Sequence, residues 1–152
     1  MPALMKLIAV GRLGSGAEAD LCAQYHARLG NSLDIIEIDD RKAPARDRKA
    51  WEAERILKHC PPSCQLIALD EHGKTMTSRK FAHWMGQQKD EGTDIAFIIG
   101  GPDGLDEKIL GRARLKLAFG AMTWPHKLVR VLVMEQIYRA STILTGHPYH
   151  RD

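Results

Sequence analysis

A chain of 152 residues, 44% of them apolar, is long enough to build a packed core of its own. Its 22 basic and 19 acidic residues leave a net charge of +3, an excess compatible with an RNA partner but too small to single one out. No apolar run approaches the ~20 residues of a membrane span, no charged start leads into an apolar leader core, and an odd count of three cysteines points to a reduced, cytoplasmic protein.

Residues 4–10 predict a first strand. The loop Gly11-Arg12-Leu13-Gly14-Ser15-Gly16 follows, but its glycines lack the G-x-G-x-x-G spacing of a dinucleotide site, so it reads as a flexible turn. Leu21, Tyr25 and Leu29 recur at helical spacing, predicting a helix over 18–29 that Gly30 and Asn31 end. Residues 33–38 predict a second strand. The stretch 39–49 mixes both charge signs and reads as a solvated loop, with a rim touching RNA phosphates as the alternative. A helix over 49–59 stops at Pro61-Pro62. Cys60 and Cys64 beside His59 lack a second ligand pair at zinc spacing, so no metal is expected.

Residues 64–69 predict a third strand ending in the polar turn Asp70-Glu71-His72-Gly73-Lys74. Thr77 or Ser78 caps a helix that runs to about residue 89. Residues 94–99 form a continuous apolar run, as expected of a parallel strand buried on both faces. It ends in Gly100-Gly101-Pro102-Asp103-Gly104, with Asp106 as the N-cap of a helix over 106–114. Strand, glycine turn and helix start is where open α/β sheets bind ligands, and the alternative is a tight turn with no ligand. A positive φ is expected at both glycines, so a β-branched replacement would be strained and would fill space meant for a ligand. Residues 115–119 predict a fifth strand. The pattern predicts an α/β fold, a mostly parallel sheet flanked by helices. With no internal repeat and no linker, residues 1–152 read as a single domain.

The last third departs from this alternation. A loop of small and aromatic residues, 119–126, leads into a helix over 128–144 that is apolar on more than one face. Such a helix is either a subunit interface or a central core helix. Glu135 and Arg139 are spaced to pair along it. The tail gathers His147, Tyr149, His150 and Arg151 into five positions. Imidazoles suit proton transfer near neutral pH, while Arg and Tyr suit phosphate contact and base stacking. Nothing in the tail suggests core packing.

Taken together, Ile99-Gly100-Gly101-Pro102-Asp103-Gly104-Leu105, Met122-Thr123-Trp124-Pro125-His126, the helix from Leu128-Val129-Arg130 to Tyr138-Arg139-Ala140, and the tail His147-Pro148-Tyr149-His150-Arg151 resemble one family. It is the RlmH family of bacterial ribosomal RNA large-subunit methyltransferases, of the SPOUT or α/β-knot class. The resemblance spans nearly the whole chain, with Met1-Pro2-Ala3-Leu4 as a short extension. It implies a C-terminal trefoil knot, a homodimer, and S-adenosyl-L-methionine held by three loops. Carried over by residue, those loops are Leu69, then Gly100 with Gly101, then Phe119, Gly120, Ala121, Met122, Thr123 and Trp124. The implied reaction is methylation of N3 of a pseudouridine in large-subunit rRNA on the ribosome, the tail of one protomer reaching its neighbour's cofactor.

Such an imide nitrogen is protonated at neutral pH, so a base or a nearby cation helps it react. His147 or His150 is the candidate base, Arg130 or Arg151 the candidate cation, and Tyr149 a stacking partner. Two other functions fit parts of the pattern. One is a flavodoxin-like enzyme whose Gly100-Gly101 turn cradles a phosphate. The other is a non-catalytic ribosome- or RNA-binding module.

Overall fold

The computed structural model describes residues 4–152, so all but Leu4 of the extension read at Met1-Pro2-Ala3-Leu4 lies outside it. Five strands, β1 (Met5–Val10), β2 (Leu33–Ile38), β3 (Gln65–Lys74), β4 (Ile95–Ile99) and β5 (Leu115–Leu117), pair in parallel. Their order in the sheet is β2-β1-β4-β3-β5. Helices cover both faces, which is why the central strands are apolar on both sides: all of β4 and residues 7–10 of β1 are buried.

Helices α1 (Ala17–Leu29), α3 (Ser78–Asp90) and α5 (His126–Thr145) cover one face. There Phe81, Met85, Val133, Met134 and Ile137 pack on Leu7, Phe97 and Ile99. Helices α2 (Arg48–Leu57) and α4 (Glu107–Arg112) cover the other, where Ile56 and Ile109 meet Ile8, Val10 and Ile98. Each fully buried aliphatic side chain contributes roughly 1.5–3 kcal/mol relative to exposure. The 20-residue helix α5 thus buries its apolar face within one protomer, as a core helix. Gly86 of α3 makes room for it, since a Cβ there would stand 2.9 Å from Leu144 Cδ2. Among the described residues no helix is long and apolar enough to cross a membrane.

Two helix starts follow the local sequence. Thr77 Oγ1 accepts from the Lys80 amide (3.1 Å) and an Asp106 carboxylate oxygen from the Lys108 amide (2.9 Å), as expected of N-caps. Elsewhere long-range contacts override it. Strand β3 does not end at Leu69: Leu69 and Lys74 both pair with Leu117, and residues 70–73 bulge out between them. The expected polar turn is therefore an excursion within a strand. Strand β5 is shorter than expected: after Ala118 N–H donates to the Lys74 carbonyl (3.0 Å), the chain leaves the sheet and turns at Gly120, φ 109°. Cys60 and Cys64 are buried free thiols, and burial followed by the neighbouring Cys64 pushes Cys60 up to about 11. Arg112 of α4 fastens the turn that carries them, donating to the carbonyls of Cys60 (3.1 Å) and Pro61 (2.5 Å).

Candidate active site

The carboxyl ends of β3, β4 and β5 open into a cavity of about 280 Å³. Leu69, Asp70 and Glu71 line it from the end and bulge of β3, residues 99–105 from the turn after β4, and residues 117–120, 122–124, His126 and Val129 from the stretch running from β5 into α5. Every expected cofactor residue except Ala121 lines this cavity. Thr123 Oγ1 donates to Glu71 Oε2 (2.7 Å), tying the last loop to the β3 bulge, and Trp124 Nε1 donates to the Phe119 carbonyl (3.3 Å) within that loop. Met122 stands 78% exposed at the mouth.

The glycines of the turn act for a different reason from the one expected. Neither Gly100 nor Gly101 has positive φ; Gly104 does, at 83°. Both are glycines because their surroundings are full. A Cβ on Gly100 would lie 2.9 Å from Leu105 Cδ2 and 3.0 Å from the Gly104 carbonyl oxygen. One on Gly101 would lie 3.0 Å from Glu52 Oε2. A side chain at either place would press on the turn itself or on the carboxylate behind it.

The electrostatics of the cavity were not read from the sequence. Asp70, Glu71 and Asp103 line it, His126 is the other ionisable side chain, and no Lys or Arg does so. Chain order hid this, because the acids come from separate polar turns that only the sheet brings together.

A family model described as "Predicted SPOUT methyltransferase" matches residues 4–150. The chain belongs to the SPOUT methyltransferase family. Among its SPOUT relatives is "Ribosomal RNA large subunit methyltransferase H" of Rhodospirillum centenum, 50% identical over 147 residues, spanning 95% of this chain and 97% of that protein. The protein of the same name from Rhodospirillum rubrum is 48% identical, over 97% of this chain and all of that one. Among solved structures, a probable methylase family protein from Haemophilus influenzae Rd KW20 shares the fold with a TM-score of 0.60 at 14% identity, covering 100% of this chain and 72% of that one. The SpoU methyltransferase AviRb from Streptomyces viridochromogenes, solved with AdoMet, has a TM-score of 0.51 at 12% identity, covering 93% and 59%.

In this SPOUT chain none of the expected catalytic residues lines the cavity. Arg130 is buried in α5, paired with Glu37 and donating to the Gly11 carbonyl (3.2 Å). Burial alone would raise Glu37, but Arg130 and the Leu13 amide together pull it below the ordinary carboxylate value. The tail folds back on α5. Tyr149 stacks edge-on against Tyr138, centroids 4.8 Å apart, and its hydroxyl donates to Glu135 (3.1 Å). Burial first, then Tyr25 and Glu135, hold its phenol well above the usual range.

The pair expected within the helix forms, Arg139 Nε to Glu135 at 2.9 Å, and Arg139 also reaches His150 Nδ1 at 3.1 Å. A guanidinium only donates, so that lone pair of His150 is occupied. The His147 Nδ1 lone pair likewise accepts from the Tyr149 amide (3.2 Å). Arg151 is exposed, and Asp152 pairs with Arg79 of α3 (2.6 Å). The tail therefore does carry packing, contrary to its composition.

Proposed function

We propose that this chain is an S-adenosylmethionine-dependent methyltransferase of large-subunit ribosomal RNA, adding a methyl to N3 of a pseudouridine on assembled ribosomes in the cytoplasm. The charge of the cavity carries the reading. Three carboxylates with no Lys or Arg suit a cationic ligand and repel phosphate, which counts against a flavodoxin-like phosphate cradle. The names of the Rhodospirillum relatives support ribosomal RNA as the substrate.

When bound, the cofactor supplies an electrophilic methyl group on a sulfonium cation. The chain contributes position and field. Asp70, Glu71 and Asp103 supply negative potential. Backbone groups of Gly100, Gly101 and residues 119–124 would hold the uncharged adenine and ribose edges, and the Glu71–Thr123 bond ties the β3 bulge to the loop before α5.

The substrate nitrogen must lose its proton before it attacks. His147 or His150 takes that proton, Tyr149 stacks on the base, and Arg151 steadies the anion or a phosphate. Arg130, already engaged by Glu37, is the weaker candidate cation. Both imidazole lone pairs are occupied while the tail lies on α5, so proton transfer requires the tail to leave. Its destination is the cavity of a second copy in a homodimer. Exposed Leu21, Met122, Trp124 and Leu128 support such an interface. Family membership supports a trefoil knot in the segment that leads through the cavity loops into α5.

Titration calorimetry tests the cofactor. S-adenosylmethionine is expected to bind, while ADP and flavin mononucleotide are not. The reverse pattern would replace this reading with the phosphate cradle.

A further inference from the structure

The deepest carboxylate near the cavity does not line it. Glu52 of α2 is 2% exposed and stands one layer behind the glycine turn. Its oxygens would meet a Cβ on Gly101 at 3.0 and 3.3 Å, so the carboxylate fills the space a side chain at Gly101 would need. Glu52 is itself held: Arg48 Nε donates to it (3.1 Å), and the same guanidinium donates to Asp40 (2.8 Å). Asp40 in turn backs onto Gly11 at the end of β1. One arginine therefore braces the ends of β1 and β4 through two carboxylates.

A buried charge that served packing alone would be out of place here, since an apolar side chain fills such a site more cheaply. The helix start that delivers this group is also strained. Asp47, just before Arg48, is the one non-glycine with positive φ (57°) among the described residues. Strain of that kind persists only where the surroundings fix it.

We propose that Glu52 is a positioning residue for methyl transfer: its carboxylate, held by Arg48, is the back wall that fixes the Gly100-Gly101 turn at the height the cofactor requires. The inference rests on the cofactor reading above. Glu52 touches neither cofactor nor substrate and acts through Gly101.

Calorimetry and steady-state kinetics on the full chain test it, with thermal melts to establish folding. Shortening the wall in E52D leaves a gap behind Gly101 and should weaken S-adenosylmethionine binding about tenfold, with the loss in KM and little change in kcat. E52A should lose more. E52Q keeps the length and the acceptor for Arg48, and should recover most of what E52A loses. G101A, which crowds the carboxylate, should also weaken binding, and adding E52D to it should restore part of the loss. This compensation keeps the test decisive should E52A fail to fold. Wild-type binding in folded E52D, or no compensation in the double variant, would overturn the positioning role. If the unaltered protein binds no S-adenosylmethionine, the cofactor reading falls first and takes this inference with it.

Discussion

Gly73 has no room for a side chain. A Cβ there would lie 2.7 Å from the Lys116 carbonyl group and 2.9 Å from the Asp70 oxygen, all backbone atoms that cannot swing aside. Gly73→Ala should therefore destabilise by about 1–3 kcal/mol, as overpacking does, and disturb the bulge that carries Asp70 and Glu71 into the cavity. Denaturant unfolding checks the stability and cofactor titration the second effect. The Glu37–Arg130 pair predicts a pH dependence. Glu37 is held below its ordinary value, so its contribution is present above that value and lost as pH falls through the lower folded one. Glu37→Gln should flatten the acid limb of the stability curve. The N-caps Thr77 and Asp106 were legible because a cap is decided within three residues of chain. The reason for Gly100 and Gly101 was not, because Glu52 and Leu105 close on them from outside the dipeptide.

At the scale of elements, the cavity is made by three loops that α/β alternation could locate but not arrange. Sequence spacing placed strand, turn and helix correctly around Gly100. It could not show that residues 70–73 leave strand β3 and return to the same partner, Leu117, since only β5 reveals the bulge. Helix α5 was ambiguous for the same reason: an all-round apolar pattern does not tell a core helix from an interface, and here α1, α3 and the sheet cover its buried face. The tail is the element with the sharpest prediction. Deleting residues 147–152 removes a ring contact, the Tyr149–Glu135 bond and an exposed ion pair. The cost should be modest, about 1–2 kcal/mol, or a melting point lower by a few degrees. Cofactor affinity should stay within about twofold, because no tail residue lines the cavity, while methyl transfer is lost. Full-rate transfer by the truncated protein would move the base to His126, which does line the cavity, or into the RNA.

For the whole molecule, the acidic cavity and the exposed apolar residues around Met122, Trp124 and Leu128 lead to the same arrangement. On the proposed reading, a protomer that repels phosphate at its cavity needs its RNA-facing groups from elsewhere, and a second copy's tail would bring Arg151 and two imidazoles. Light scattering at micromolar concentration should therefore give twice the 17.0 kDa chain mass. A monomeric mass would remove the shared site and leave the cofactor cavity standing. The most direct measurement joins cavity to chemistry. Ribosomes from a strain lacking this protein are incubated with it and labelled S-adenosylmethionine, and the large-subunit RNA is digested and mapped by mass. The account predicts label on a single pseudouridine, at N3, and none when the tail is removed. No transfer to ribosomal RNA, from protein shown to bind the cofactor, would contradict it.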